Sequence, residues 1–434
     1  QVAGLNLETT VRARESTTYQ AAQQYASEGL ALLTSTVADE RKAELVFGLT
    51  RELAQAAYFS GEYAQSEQLL RVLLEQLHAP RSETEQARAA RVLRQVDLYN
   101  LLTTQYTLTG RYDQAIAAGR KALGLLGIGL PDPENEREVA TAFEVEAAWI
   151  QGELAKQDIG HLLQRPTLES PEKLAAMRVL VTMNAAGMYT SRPLYNLLVA
   201  KKTRLSLESG HSAESAFAYV SFGVPLTSMG GGGGSGDLVR QASALGSMAR
   251  ELSLKWDRLD LRCRVHFILG TYILPWSKHL RHLDGVYEEG YRAGLQGGEL
   301  LFAGNILAFR LLVPFYLGRG IHELLEEARR FLQFERKTHN KIATDRVLAC
   351  YLPLLNLAGH TGDALSFDPA RDELWVINKD VENSGGSTVR FFEPGQPTQT
   401  QLWQRDPNAW HFMSLPTGIA FTDTYPAGIV NATP

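Results

Sequence analysis

The sequence predicts a mainly α protein: an irregular α-helical repeat solenoid followed by a short β-rich C-terminal segment. Three observations carry this. Up to His360, apolar residues recur at helical spacing in segment after segment. From Ala364 onward, short alternating runs are broken by Gly, Pro, Asn and Asp. At 434 residues the chain is also too long for one compact core unless each repeat packs only on its neighbours. The expected parts are helical repeats over 1–229, a Gly-rich linker or insertion at 230–236, further repeats over 237–362 and a β-rich segment over 363–434.

The first expected helix runs from Thr17 to Leu33, with Tyr19, Ala22, Ala26, Leu30 and Leu33 near one face. Leu45, Leu49, Leu53, Ala56 and Ala57 then lead into Gly61-Glu62-Tyr63, and Leu69, Leu70, Leu73, Leu74 and Leu77 continue on a second helix. The same arrangement returns at Leu101–Thr109, Gly110-Arg111-Tyr112 and Ala115–Leu123. In both, glycine relieves backbone crowding at the turn, tyrosine opens the second helix, and alanines permit close crossing.

Pro131-Asp132-Pro133 interrupts the pattern, and a helix is expected from Glu134 to Ala155. Ser170-Pro171-Glu172 is a helix start, with Ser170 as the cap and Pro171 in the first turn. A further pair covers Ala213–Met229 and Asp237–Leu254. Between them, Gly230 to Gly236 reads as five glycines, serine and glycine, a composition without a preferred conformation. It is either a natural insertion or an engineered linker replacing a loop, and the linker is favoured. Apolar stripes follow at Leu283, Val286, Tyr287, Tyr291 and Leu295, and at Ile321, Leu324, Leu325, Ala328, Phe331 and Leu332.

In the tail, Ala364–Asp368 and Glu373–Asn378 read as a hairpin across the Pro369–Asp372 turn. Ser387–Glu393, Thr400–Gln404 and Gly418–Thr422 read as further strands. Such lengths and turns suit one propeller blade and the start of another.

Composition narrows the function classes. A 44% hydrophobic share, 21% charged share and net charge of -5 give no global attraction to nucleic acid or anionic membrane. The basic pairs Lys201-Lys202 and Arg329-Arg330 are short and read as solvated helix faces. Cys263 and Cys350 sit in apolar helical stretches, as buried free thiols of a reducing compartment do. No apolar run approaches the roughly 18 residues that span a bilayer, and no basic-then-apolar signal pattern opens the chain. A start at Gln1 without Met is expected of a fragment or a processed product.

Catalytic constellations do not emerge, and neither a catalytic residue nor a cofactor is predicted. A phosphate loop needs Lys and Ser or Thr after its last glycine, but Asp237-Leu238-Val239 follow Gly236. His279 and His282, three apart, would share a helix face near His266, yet no third ligand stands at a diagnostic spacing. His411 in Trp410-His411-Phe412-Met413 offers nitrogen and sulfur ligands that suit copper, although an aromatic strand reads more simply. Glu144, Glu146, Glu326 and Glu327 read as solvated faces. Asn431-Ala432-Thr433 is a formal glycosylation sequon, meaningful only in an exported tail.

The two Gly-x-Tyr hairpins resemble tetratricopeptide repeats, although their separation exceeds the ~34-residue period of regular arrays. Longer runs resemble the helical region of large bacterial signalling proteins. These are Ala13-Arg14-Glu15-Ser16-Thr17-Thr18-Tyr19 with Tyr25–Leu33, then Ala56–Tyr63, Pro171–Arg178, Gly210–Tyr219, Cys263-Arg264-Val265 and Gly290–Leu295. In that family a serine/threonine-kinase-like domain and an AAA-type ATPase domain precede such repeats, and GAF and histidine-kinase domains often follow. The resemblance covers about residues 5–360 and implies a cytoplasmic, non-catalytic scaffold for protein, peptide or interdomain contacts. It supplies no catalytic residue, because the phosphate loop and kinase motifs are missing from this chain. The tail, through Asp372–Asn378, instead resembles secreted bacterial β-propeller proteins, so a chimera or fusion is a second expectation.

Tyr63, Tyr112, Asn184 and Asn305 are the inward-facing partner-binding candidates. Two rival functions remain. In one, a small-molecule sensor encloses an apolar ligand near Phe267–Trp276; in the other, a metal or catalytic site lies in the tail near His411.

Overall fold

The computed structural model describes residues 2–16, 18–33, 40–78, 84–230, 236–338 and 340–360, and the strand residues 374–378, 388–392 and 401–404. The chain is mainly helical. Its helices are α1 (Val2–Glu15), α2 (Tyr19–Ala31), α3 (Glu40–Phe59), α4 (Tyr63–His78), α5 (Glu85–Leu108), α6 (Tyr112–Leu125), α7 (Glu136–Leu154) and α8 (Pro171–Thr190). They continue with α9 (Arg192–Ser209), α10 (Ser215–Gly230), α11 (Gly236–Leu252), α12 (Leu259–Ile268), α13 (Asp284–Gly297), α14 (Leu300–Tyr316), α15 (Ile321–Thr338) and α16 (Lys341–Leu357). No described helix is long and apolar enough to cross a membrane.

Contacts divide the chain into two compact units. The first holds 1–130 and 170–186, the second 131–169 and 187–434. The division falls in the Pro131-Asp132-Pro133 break and within α8. The Gly-rich run, by contrast, lies between two helices of one unit, and α10 and α11 on either side of it pack against each other. Residues 231–235 of that run lie outside the described residues.

In the first unit each helix packs on the next along α1–α4, and α5 follows on α4 and α6 on α5. Ala26, Leu49 and Leu53 are buried together, with Leu7, Leu30, Leu33 and Leu69 against them. The α1 helix precedes the first one expected from the sequence. Its inner positions are as modest as Ala3 and Leu7, which leaves little amphipathic contrast to read. At both Gly-x-Tyr turns the glycine takes positive φ, +83° at Gly61 and +73° at Gly110, and the tyrosine opens the next helix.

In the second unit α7 packs on α9, α9 on α10, and α10 on α11, α12 on α13 and α15 on α16, each of these last three pairs consecutive in sequence. The helices α10, α12, α14 and α16 touch in series, which gives the unit a continuous inner row. Tyr195, Phe217, Tyr219, Phe222, Phe267 and Tyr287 are fully buried there. The α9 helix had no stripe to betray it, because it is buried on nearly every side, from Leu194 to Leu207. Its start is nonetheless regular: Ser191 accepts a hydrogen bond from the Leu194 N–H, with Pro193 in the first turn. Ser170 caps α8 in the same way, accepting from the Lys173 N–H at 3.3 Å. The α7 helix starts two residues later than expected because Asn135, accepting from the Glu138 N–H, is its cap.

Three strands, β1 (Leu374–Asn378), β2 (Thr388–Phe392) and β3 (Gln401–Gln404), pair antiparallel in the order β1-β2-β3. Leu374 stands opposite Phe392, and Val389 opposite Trp403. The described partner of β1 is thus β2. The expected strands Ala364–Asp368 and Gly418–Thr422 lie outside the described residues, as do His411 and the Asn431 sequon.

Candidate functional site

The second unit carries an open groove of about 960 Å³ between α11, α12 and α13. Helical spacing builds each wall. Ser247, Arg250 and Glu251 share one face of α11, with Leu254 in the turn that follows it, while Leu259, Arg262 and His266 recur at three and four residues along α12. Val286, Glu289, Ala293 and Gln296 do the same on α13, and Lys278 and His282 stand in the connection between α12 and α13.

That connection is irregular for a visible reason. After α12 the backbone passes into a single π-helical turn, Leu269–Ile273, and then a 3₁₀ turn, Leu274–Trp276. Pro275 has no N–H to continue the ladder. A π turn inserts an extra residue into the helical register and commonly accompanies functional sites.

Close approach of α12 and α13 depends on glycine. A Cβ at Gly290 would fall 2.7 Å from the Cβ of His266, and one at Gly294 would fall 2.7 Å from Cys263 Sγ. With hydrogen at both positions, α13 lies against α12 and His266 is 1% exposed at the base of the groove.

His266 is held at both ring nitrogens. Nδ1 lies 2.8 Å from the Arg262 carbonyl oxygen and Nε2 lies 3.0 Å from Glu289 Oε2. Burial lowers its pKa, against the opposing pull of these two acceptors. Burial alone would raise the Glu289 carboxyl, but hydrogen bonds from Arg250 and His266 outweigh it and hold that group low. Arg250 donates to both Glu289 oxygens, at 2.6 and 2.5 Å. One carboxylate therefore ties all three helices: Arg250 from α11, His266 from α12 and Glu289 from α13.

The groove's charge is unbalanced. Arg250, Arg262, Lys278 and Arg292 line it, against Glu251 and Glu289. Arg250 is neutralised by Glu289, and Arg292 reaches Glu288 at 3.0 Å. Arg262 is different. Its Nε is buried without a hydrogen-bond acceptor among the described residues. Lys278 is exposed and likewise has no carboxylate partner among them.

The sequence candidates fall elsewhere, apart from His282. His279 and His282 do not share an α-helical face. Residues Leu280–His282 form a 3₁₀ turn capped by His279, whose Nδ1 accepts from the Arg281 N–H at 3.2 Å and from Arg281 Nε at 3.1 Å. Only His282 lines the groove. Among the described residues no group of three His, Cys, Asp or Glu is placed to hold a metal. Tyr63, Tyr112 and Asn184 belong to the first unit and Asn305 to the second. Tyr63 stacks edge-on to Tyr58 at 5.9 Å, and its carbonyl accepts from Gln105 Nε2 at 2.6 Å. Tyr112 opens α6, and Asn184 and Asn305 are buried at 5% and 4% exposure. None of the four lines the groove.

Two readings of charge are corrected. Lys202 is not solvated: it is fully buried with Nζ 4.3 Å from the Phe217 ring centroid, and burial together with the Arg264 charge pushes its pKa well down. Glu146 is buried as well, bonded to Lys201 at 3.0 Å and Arg204 at 3.1 Å. In the Phe267–Trp276 stretch, Phe267 interlocks with Tyr272, Phe302 and Phe309, whereas Trp276 is exposed. Both cysteines are free thiols, and burial raises the pKa of each.

The groove residues Arg250, Arg262, Lys278 and Glu289 escaped sequence reading because the three stretches that carry them converge only through packing. The available signal was the basic and acidic spacing along Arg250–Glu251, Arg258–Arg264 and Glu288–Arg292. No protein-family profile matches the chain, and no curated protein matches it.

Proposed function

We propose that this chain is a non-catalytic, tetratricopeptide-like α-solenoid scaffold that mediates protein–protein or interdomain contacts, as in bacterial signal transduction. The observation that carries this reading is the open groove of about 960 Å³ on the second unit, walled by three consecutive helices. Elongated repeat proteins use such surfaces to hold polypeptide segments, because stacked helices present side chains at regular intervals along a groove. The serial packing of α10, α12, α14 and α16 supports the solenoid part of the reading. The resemblance of residues 5–360 to signalling proteins supports the bacterial and cytoplasmic setting. The antiparallel meander of β1, β2 and β3 supports a propeller-like blade, in which successive strands are neighbours.

The test is selection from a displayed random-peptide library on the full chain, followed by competition with a Leu254→Glu variant. Leu254 is 62% exposed and lines the groove, so the change occupies the surface without disturbing the core. Enriched peptides that lose binding to the variant are the expected result. Selection of no peptide, or of peptides indifferent to Leu254→Glu, rejects the groove as a recognition surface.

A further inference from the structure

Cations without counter-ions give the groove a more specific character than its shape does. Arg262 is the central case. Its side chain is half-buried on α12, its Nε is sealed from solvent, and no acceptor meets that donor among the described residues. With Nε sealed, Arg262 meets a groove ligand through its terminal guanidinium nitrogens, which make no ion pair among the described residues. Lys278 adds a second uncommitted cation on the facing connection, and His282 lies beside it in the lining. Of the groove's two carboxylates, Glu289 is already engaged by Arg250 and His266, and Glu251 is exposed and makes no ion pair with Arg262 or Lys278 among the described residues.

Resting on the scaffold reading above, we propose that the groove docks an acidic polypeptide segment, with one ligand carboxylate taken by Arg262 and a neighbouring one by Lys278. Charge complementarity selects this occupant. A basic segment would bring its charges onto Arg262 and Lys278, and a neutral one would leave the Arg262 donor without an anion. The apolar lining at Leu254, Leu259 and Leu269 takes the stems and backbone between the acidic side chains. Length matters as well: the groove is many times the size of one carboxylate, so a segment gains contacts that a free anion does not.

The experiment is fluorescence anisotropy on the full chain, with labelled short polyglutamate, its polyglutamine counterpart and polylysine as probes. Saturable binding of polyglutamate alone is expected, weakening as salt rises. Lys278→Gln and Arg262→Gln should each weaken it, and the double variant by about tenfold or more. Lys278 is exposed and Lys278→Gln leaves the core untouched, so that variant remains decisive even if Arg262→Gln misfolds. The absence of saturable polyglutamate binding overturns the proposal, as does undiminished binding to Lys278→Gln. Competition by free glutamate or inorganic phosphate as effective as by the peptide also overturns it, since that describes a point anion site. If peptide display returns neutral or basic binders blocked by Leu254→Glu, the scaffold reading stands and the acidic occupant falls. If display returns none, the scaffold reading itself falls.

Discussion

The two units are both helical yet hold their helices by different means. In the first, ion pairs reach past the next helix to the one after it. Arg14 on α1 reaches Glu52 on α3 at 2.7 Å, Arg51 on α3 reaches Asp97 on α5 at 2.7 Å, and Glu67 on α4 gathers Arg71, Arg111 and Tyr106. The second unit has ion pairs of its own, such as Arg250 with Glu289, and adds an aromatic core, with Phe217, Phe267, Phe302, Phe309 and Tyr287 in ring-to-ring contact. Its polar groups, Lys202, His211 and His266, are sealed inside. Ring packing carries no charge to screen, whereas partly exposed ion pairs weaken as salt rises. That difference is testable, and because the chain has two units the quantity to follow is the local opening free energy, read by hydrogen exchange in each.

The largest effect is expected from Phe267→Ala. It deletes a ring that is 2% exposed and touches Tyr272, Phe302 and Phe309, which costs about 3–5 kcal/mol. Protection should fall throughout α10–α14 while amides of α1–α6 are unmoved. Equal loss in both units would show that they unfold together, and the contrast drawn above would collapse.

Glycine substitutions sharpen the same contrast. Gly210 has φ +97°, and a Cβ there would lie 2.4 Å from the Pro166 carbonyl oxygen, a backbone atom that cannot step aside. Gly61 has φ +83° with open space around it. Alanine at Gly210 should therefore cost about 3 kcal/mol and at Gly61 only about 1 kcal/mol, the price of the left-handed conformation alone. Similar losses at both, in parallel denaturation measurements, would mean that crowding around Gly210 relaxes.

How much of this was legible in the sequence depends on which residues carry the signal. The Gly61 and Gly110 turns were readable because positive φ demands glycine wherever the chain folds back. The Ser170 cap was readable because an unpaired helix N-terminus needs a local acceptor. Amphipathic stripes on α13 and α15 were readable too, since each has one wet face. By contrast α9 has almost no wet face, and α1 has few large apolar residues. The groove was hidden more deeply: Arg262, Lys278 and Glu289 are ordinary charged residues until α11, α12 and α13 pack, and Lys202 looks like half of a surface pair until Phe217 covers it. Local rules report caps and faces, whereas burial of a charge is decided by residues distant in sequence.

Acid should test the second unit through His211. This ring is 0% exposed, Nε2 lies 3.0 Å from the Tyr219 hydroxyl, and burial, with the Lys255 and Arg165 charges, lowers its pKa to about 4. The unfolded imidazole titrates near 6.5, so between about pH 6.5 and 4 the unfolded state binds the proton and the folded state does not. Stability from this group is accordingly flat above about pH 6.5 and falls with acidification, by roughly 2 kcal/mol at pH 5. In His211→Gln that pH slope should shrink for amides of α9 and α10. An unchanged slope would place the proton uptake on another group.

Glu67→Gln addresses the first unit and should have the smallest effect of the set. The Glu67 carboxylate accepts from the Tyr106 hydroxyl at 2.8 Å and from Arg71 and Arg111 at 2.8 Å each, and Arg111 also lies 4.4 Å over the Tyr106 ring. Burial would raise its pKa, but these hydrogen bonds lower it overall, so its contribution is present above the unfolded carboxylate range and is lost as pH falls through the folded value. An uncharged amide keeps the size and forfeits the charge-assisted part of these bonds, worth about 1–2 kcal/mol at low ionic strength. Because Arg71 and Arg111 are solvent-facing, raising salt should erase much of the difference between variant and parent. The Phe267→Ala loss should not move with salt, since no charge is involved. Ion pairs and an aromatic core thus predict different salt responses, and a Glu67→Gln defect that persists at high salt would show that packing, rather than charge, joins α4 to α5 and α6.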